Sequence, residues 1–411
     1  MGRAGSQLSI LQWLVVSFGF LALALAFSAR ASLGLVMPIW AQEFGWSRSF
    51  VSGAAAAALL VMAAVAPFAG RFIDQNGVRV TLALGLGLVG VGCVTVSATS
   101  NALIFLIGFS GISAVGFGIV ATHVVSTAVA RLFNENRGLA TGIATSGATG
   151  GQFLIVPLIA AVLTTFSWRW SFLAIGIASF ALIPLLWLTL AEKQDSVAAV
   201  ANNAAAPSLR DEIATIVKKP AFHILFWSFL LCGYTTAGVI ETHLLPYASF
   251  CGFGPVPSAT AYGLLSAVNM LGMIGAGWLT DRMNRVVLLA SIYLLRGVTF
   301  IVLMNVGADY EMLVIFAILF GAVDYATVPV TASLVASHLG LRVMGLSMGL
   351  ISAGHSLGAA AGAFSGGFIF DLTMQYKWVW IISLILAVGA GFIVLLLKDV
   401  PEVGIRHSAV H

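Results

Sequence analysis

Arg30, His123, Glu241, His243, Arg296, Asp324 and His355 all stand inside long runs of apolar residues. Ionisable groups in such surroundings are costly, and they usually face a cavity where they act on something. A guanidinium such as Arg30 can grip both oxygens of a carboxylate through parallel hydrogen bonds. An imidazole such as His123 or His355 can donate to an anion or relay a proton near neutrality. Asp324 is the carboxylate best suited to carry a proton, and Tyr325, Gln152 and Asn269 add neutral donors and acceptors. Each also has a plainer reading. Arg30 could reach the outer headgroups, His123 could be a satisfied interhelical ring, and Asp324 could be locked in a permanent ion pair with Arg296. Glu241 and His243 are two residues apart, point to different helix faces and so form no single paired site. Interfacial solvation is the default for both, with an outer-gate role as the alternative.

The chemistry of covalent catalysis is missing from this set. No nucleophile, base and acid stand together, and no Gly-Lys-Ser/Thr sequence offers to cradle a phosphate. Cys93, Cys232 and Cys251 are odd in number and lack metal-ligand spacing. We therefore expect no enzyme, no cofactor, no metal centre and no disulfide framework. The formal charge of +4 does not call for nucleic acid.

The elements that hold these groups follow from composition. The chain of 411 residues is 60% hydrophobic and 8% charged, with a mean hydropathy of +1.04. Soluble domains carry about 25% charged residues. Only a bilayer suits such a chain, at roughly 20 apolar residues per helical crossing. Backbone groups find no water in lipid, so spans are helices or closed barrels. The apolar runs do not alternate, which selects helices. Spans are expected at about 10–40, 49–70, 78–98, 102–131, 138–164 and 168–191, then at about 221–248, 257–279, 286–305, 310–338, 345–369 and 378–397. The first run is read as a span and not as a leader. The longest polar stretch, 192–220, separates an N-terminal bundle (1–191) from a C-terminal bundle (221–411).

Basic residues orient the spans. With both termini and the linker on the cytoplasmic side, Arg48, Arg169 and Lys377 fall outside, Arg30 and Arg296 lie within spans, and the other 14 of 19 fall inside. The expected place is the inner cell membrane, multi-pass. The two bundles also repeat. Gly70–Asp74 is matched by Gly277–Asp281 at an offset of 207 residues, and the same offset relates Gly138, Gly142, Gly147 and Gly151 to Gly345, Gly349, Gly354 and Gly358. Matched halves of this kind belong to carriers with a midplane site.

The loop Gly70-Arg-Phe-Ile-Asp74-Gln-Asn-Gly77-Val-Arg79, with its copy at Gly277–Arg285, resembles the loop signature of the major facilitator superfamily. The resemblance covers the whole chain and implies an all-α membrane protein of twelve helices in two pseudo-symmetric six-helix halves. It implies that Gly70, Asp74, Gly77, Arg79, Gly277, Asp281 and Arg282 form gating loops that latch the cytoplasmic helix ends. Gln75 departs from the usual Arg, whereas Asp281-Arg282 keeps the pair. The resemblance also implies that spans 1, 4, 7 and 10 line a central cavity, that spans 2, 5, 8 and 11 form its sides, and that spans 3, 6, 9 and 12 lie outside. Phe44-Gly-Trp46-Ser-Arg48, Arg137–Ile143 and Gly354-His-Ser-Leu-Gly358 through to Asp371 resemble the monocarboxylate and oxalate/formate branch. That branch often carries an anion-binding Arg late in span 8. Asn269–Met273 has none, so no such role is carried over there.

The expectation is a secondary transporter of a small organic anion, a monocarboxylate, moved with a proton by alternating access. Arg30, His123, His355, Tyr325, Gln152 and Asn269 are the expected substrate contacts. Asp324 and His355 are the expected proton carriers, and Arg296 with Asp324 the structural ion pair. The expected partners are the organic anion, protons and the bilayer, with a monomeric carrier. The alternatives are a drug or solute efflux carrier of the same fold, and an uncoupled or exchange carrier of organic acids. An efflux carrier for lipophilic cations wants acidic cavity groups, against which Arg30 argues. A sugar carrier wants many amide and indole side chains at midplane, and few are present.

Overall fold

The computed structural model describes residues 2–190 and 208–399. Most of the expected linker, and the tail beyond 399, lie outside the described residues. Eleven stretches among the described residues are long and apolar enough to cross a membrane. One of them, Phe50–Ala98, is 49 residues long, about twice what a bilayer needs. It is two spans joined at Gly77, whose φ of 77° and ψ of 175° leave the helical region. Only glycine adopts that conformation without strain. The expected twelve spans are thus present, at the expected places.

Two features differ from expectation. Span 1 runs on through Pro38 to Glu43. The end of the linker is helical, Leu209–Val217, because Ser208 caps it by accepting from the Asp211 N–H and because Asp211 and Glu212 occupy its first turn. Glu212 then reaches Arg71 at 3.1 Å, tying the linker helix to the loop after span 2.

Three spans are irregular at mid-depth. Span 4 contains a π-helical stretch at Ile107–Ser113 and breaks at Val120 and Ala121. Span 7 has a π-helical turn at Tyr234–Gly238. Span 10 stops at Val323 and restarts at Thr327. A broken helix frees carbonyls that lipid cannot satisfy. At span 10 the answer comes from span 9. Arg296 is fully buried, and its Nη2 donates to the Val323 carbonyl at 2.7 Å and to the Asp324 carbonyl. Broken helices mark the solute sites of many carriers.

Each group of spans has its own packed interior. One apolar cluster is drawn from Val15 to Leu190. Two others come from Ile216 to Leu397, joined by Ala130. At one end of the bundle each group is clamped by aromatic rings. Trp40 packs against Phe105, Trp168 and Phe172, and Trp380 packs against Tyr247 and Tyr376. These clusters do not bridge the two groups.

The opposite end carries most of the Lys and Arg, and there the groups meet. Gly70 lies against the Gly345 carbonyl and Gly138 against the Gly277 carbonyl, so closely that a Cβ would collide with backbone at either glycine. Asp74 accepts the N–H groups of Gly345 and Leu346, both at 2.9 Å, and forms an ion pair with Arg131. Asp281 accepts from Gly138 at 2.7 Å and Leu139 at 2.9 Å. Each carboxylate caps the N-terminal turn of a helix in the other group, where orphan N–H groups and the helix dipole favour negative charge. Arg131 also reaches the Leu341 carbonyl at 3.1 Å. Arg79 bonds the Leu190 carbonyl at 3.3 Å and lies over Trp187. Arg282 takes no part across the seam: it folds onto Trp278 of its own helix.

Candidate functional site

Between the two groups lies a cavity of about 90 Å³. Arg30 and His123 face it from spans 1 and 4, and Asp324, Tyr325 and His355 from spans 10 and 11. Phe27, Met62 and Phe229 supply apolar walls. A second chamber of about 190 Å³ shares Arg30, Leu59 and Met62 with the first and adds Gln152, Glu241 and Tyr262. Pockets for drug-sized ligands run to about 300–1,000 Å³, so these chambers fit a smaller solute.

Arg30 stands where the chambers join. It is half-buried, its guanidinium lies 4.8 Å from the Phe27 ring centroid, and it makes no hydrogen bond or ion pair with any described residue. It faces the hollow. His123 is 3% exposed, and its Nε2 is buried without a hydrogen-bond partner. Its carbonyl accepts from Ser126 and Thr127, which fixes the start of the inner half of span 4. His355 stacks near Phe229, with centroids 4.9 Å apart, and its Nε2 lies 3.5 Å from the Thr236 hydroxyl.

The break in span 10 turns Asp324 and Tyr325 inward. Asp324 Oδ2 accepts from the Asn269 amide at 2.9 Å, and Asn269 Oδ1 accepts the Tyr325 N–H at 3.1 Å. Asp324 Oδ1 is buried without a partner. The Tyr325 hydroxyl donates to Glu241 Oε1 at 2.7 Å.

The structure gives several residues other work than the sequence led us to expect. Asn269 is buried and spends its amide on Asp324 and Tyr325, so it positions the site and does not line it. Arg296 meets Asp324 through the main-chain carbonyl, not the carboxylate, because the helix break presents carbonyls that need donors more urgently. Its Nη1 lies 3.0 Å from Cys232 Sγ. His243 packs against Gly366 and its Nε2 lies 3.0 Å from the Ala363 carbonyl, outside the cavity. Glu241, read as interfacial, faces the outer chamber. Tyr262, Cys232 and Thr236 also line the chambers, and no signal in the sequence singled them out. Arg131, the partner of Asp74, was readable only as a basic residue at a helix end.

Comparison with known proteins agrees with this geometry. The Major Facilitator Superfamily pattern matches residues 19–304 and 276–409. The uncharacterized MFS-type transporter YcxA of Bacillus subtilis is 25% identical over 89% of this chain and 90% of its own length. Monocarboxylate transporter 13 of Rattus norvegicus is 24% identical over 93% and 88%. Monocarboxylate transporter 11 of Homo sapiens is 26% identical over 95% and 84%. Among solved structures, FucP in the outward conformation superimposes with a TM-score of 0.75 at 17% identity, covering 93% of this chain and 99% of that one. The human organic anion transporter MFSD10 gives 0.71 at 18% identity, covering 93% and 99%. Such likenesses carry the fold alone. With twelve helices around a central hollow, and a family pattern running nearly end to end, this multi-pass membrane protein belongs to the major facilitator superfamily.

Proposed function

We propose that this protein carries a small monocarboxylate across the inner cell membrane together with a proton. The observation that carries this reading is Arg30: a guanidinium inside the hollow, with no carboxylate of any described residue bonded to it. Such a group in a low-dielectric site holds an anion through charge-assisted bonds. The size of the chambers favours a small acid over a drug, and the relatives named as monocarboxylate transporters support the class. His123, His355, Tyr325 and Gln152 complete the polar contacts. Asp324 and His355 are the proton-carrying candidates from the sequence. Moving an anion with one proton is electroneutral and avoids a cost of about 2.3 kcal/mol per charge per 100 mV.

In the cycle, the halves 1–191 and 221–411 rock about the cavity, and the loops at Gly70–Arg79 and Gly277–Arg282 latch the basic end. That end is cytoplasmic by the positive-inside rule, which assigns both termini to the same side. In this reading the closed basic end corresponds to an outward-facing state, and the carrier works as a monomer. Proteoliposomes offered labelled lactate, pyruvate, sugars or cationic dyes, with and without an imposed pH gradient, test the reading. Lactate or pyruvate uptake driven by an inward proton gradient is expected. Uptake of cations or sugars but not acids contradicts it. Acid uptake indifferent to the gradient removes the proton and keeps the anion.

A further inference from the structure

Glu241 is the carboxylate that the proposed function leaves without work. It shares the outer chamber with Arg30, Gln152 and Tyr262. Arg30 and Glu241 face this space from opposite groups of spans. Glu241 Oε1 accepts the Tyr325 hydroxyl, and Oε2 receives no hydrogen bond from any described residue. Asp324, by contrast, is 4% exposed, is held by Asn269 and belongs to the break of span 10.

A monocarboxylate seated on Arg30 would bring a second negative charge into the same chamber as Glu241. Two carboxylates sharing a low-dielectric site do not both stay ionised. In the empty carrier Arg30 and Glu241 share the chamber without a bond between them. When the substrate carboxylate joins them, one of the two anions must be neutralised. We infer that Glu241 takes up the proton that accompanies the anion. The step forms an O–H bond on the Glu241 carboxylate, with the proton supplied by bulk water through the open chamber. No bond of the substrate breaks.

The groups around Glu241 are consistent with this. Span 1 presents Arg30, span 8 presents the phenol of Tyr262, and span 10 presents Asp324 and Tyr325; Tyr262 and Tyr325 each lie within electrostatic reach of Arg30, Glu241 and Asp324. From span 11, His355 meets span 7 deeper in the hollow, at Thr236. On span 7 itself, His243 turns away to Ala363 and Cys232 lies toward Arg296. Arg30 is thus the one cation among these neighbours in the outer chamber.

The inference rests on the monocarboxylate reading, and its test separates the two. Lactate is added to purified carrier in weakly buffered detergent solution near neutral pH, and proton uptake is read with a pH dye while binding is read by equilibrium dialysis. Wild type is expected to bind lactate and take up a proton as it does so. Glu241→Gln is expected to bind lactate without proton uptake and to lose the weakening of affinity, about tenfold per pH unit, that wild type shows as pH rises above neutrality. Glu241→Asp is expected to restore the uptake, which shows that the site is intact. Proton uptake that persists in Glu241→Gln and vanishes in Asp324→Asn overturns the inference and leaves the anion reading standing. Failure of wild type to bind lactate, pyruvate or acetate removes the anion reading itself.

Discussion

At the basic end the two groups of spans touch backbone to backbone, whereas around Arg30 they are held apart. The contrast lies in the residues. Small side chains at Gly70, Gly345, Gly138 and Gly277 let helices approach until carbonyls meet, and two carboxylates cap helices across the seam. Around the cavity, bulky and polar side chains project from broken helices into space. One region is therefore built to close and the other to stay open for a solute. The closed seam depends on a handful of charge-assisted bonds, each worth about 1.5–3 kcal/mol. A solute whose contacts differ between states by a few kcal/mol can shift such an equilibrium.

The heaviest blow to this contrast is Gly345→Val. Its side chain collides with the backbone at Gly70, and overpacking costs about 1–3 kcal/mol in the closed state only, so uptake should fall by about 5-fold to 150-fold. A cysteine placed at Ser356, in a background lacking Cys93, Cys232 and Cys251, should then label with maleimide from the basic side. Unchanged uptake contradicts the closed seam. Asp74→Asn is milder. It removes charge from an acceptor of two N–H groups and Arg131, and the same labelling should rise about tenfold. Asp281 pairs with no arginine among the described residues, so Asp281→Asn should raise it only a few-fold. Equal effects would mean that Arg131 adds nothing. Asn269→Ala unbinds Asp324 and the Tyr325 N–H, at about 1–3 kcal/mol. Thermal unfolding should show that loss, with lactate affinity falling less than about tenfold. The smallest effect belongs to His243→Gln. Outside the cavity, it should leave uptake within about twofold, while His355→Gln lowers it about tenfold.

The architecture was legible because lipid allows so few solutions. Apolar runs set the spans, the basic residues set a common end, and the 207-residue repeat marked two equivalent halves; that Gly70 and Gly345 meet across them only the fold shows. Arg30 was legible as a candidate, since an arginine within a span turns either to a cavity or to the headgroups, and only the fold shows it lining the hollow. Glu241 was read by its depth near the end of span 7, and the π-helical turn at Tyr234–Gly238 shifts which face the residues beyond it present. Counting at 3.6 residues per turn cannot see that shift. The Arg296 contact was half legible. The need for a buried partner was clear, but no proline marks the break at Asp324, so the freed carbonyls could not be foreseen. Arg131 was hidden among the other basic helix ends, and only the fold brings it to Asp74.

The most direct measurement is lactate binding to the purified carrier by equilibrium dialysis, comparing wild type with Arg30→Lys and Arg30→Ala, each first shown by gel filtration to be folded. Losing a charged partner costs about 2–5 kcal/mol, so Arg30→Ala should bind at least about 30-fold more weakly, with Arg30→Lys in between. Equal affinity in all three proteins would contradict the account.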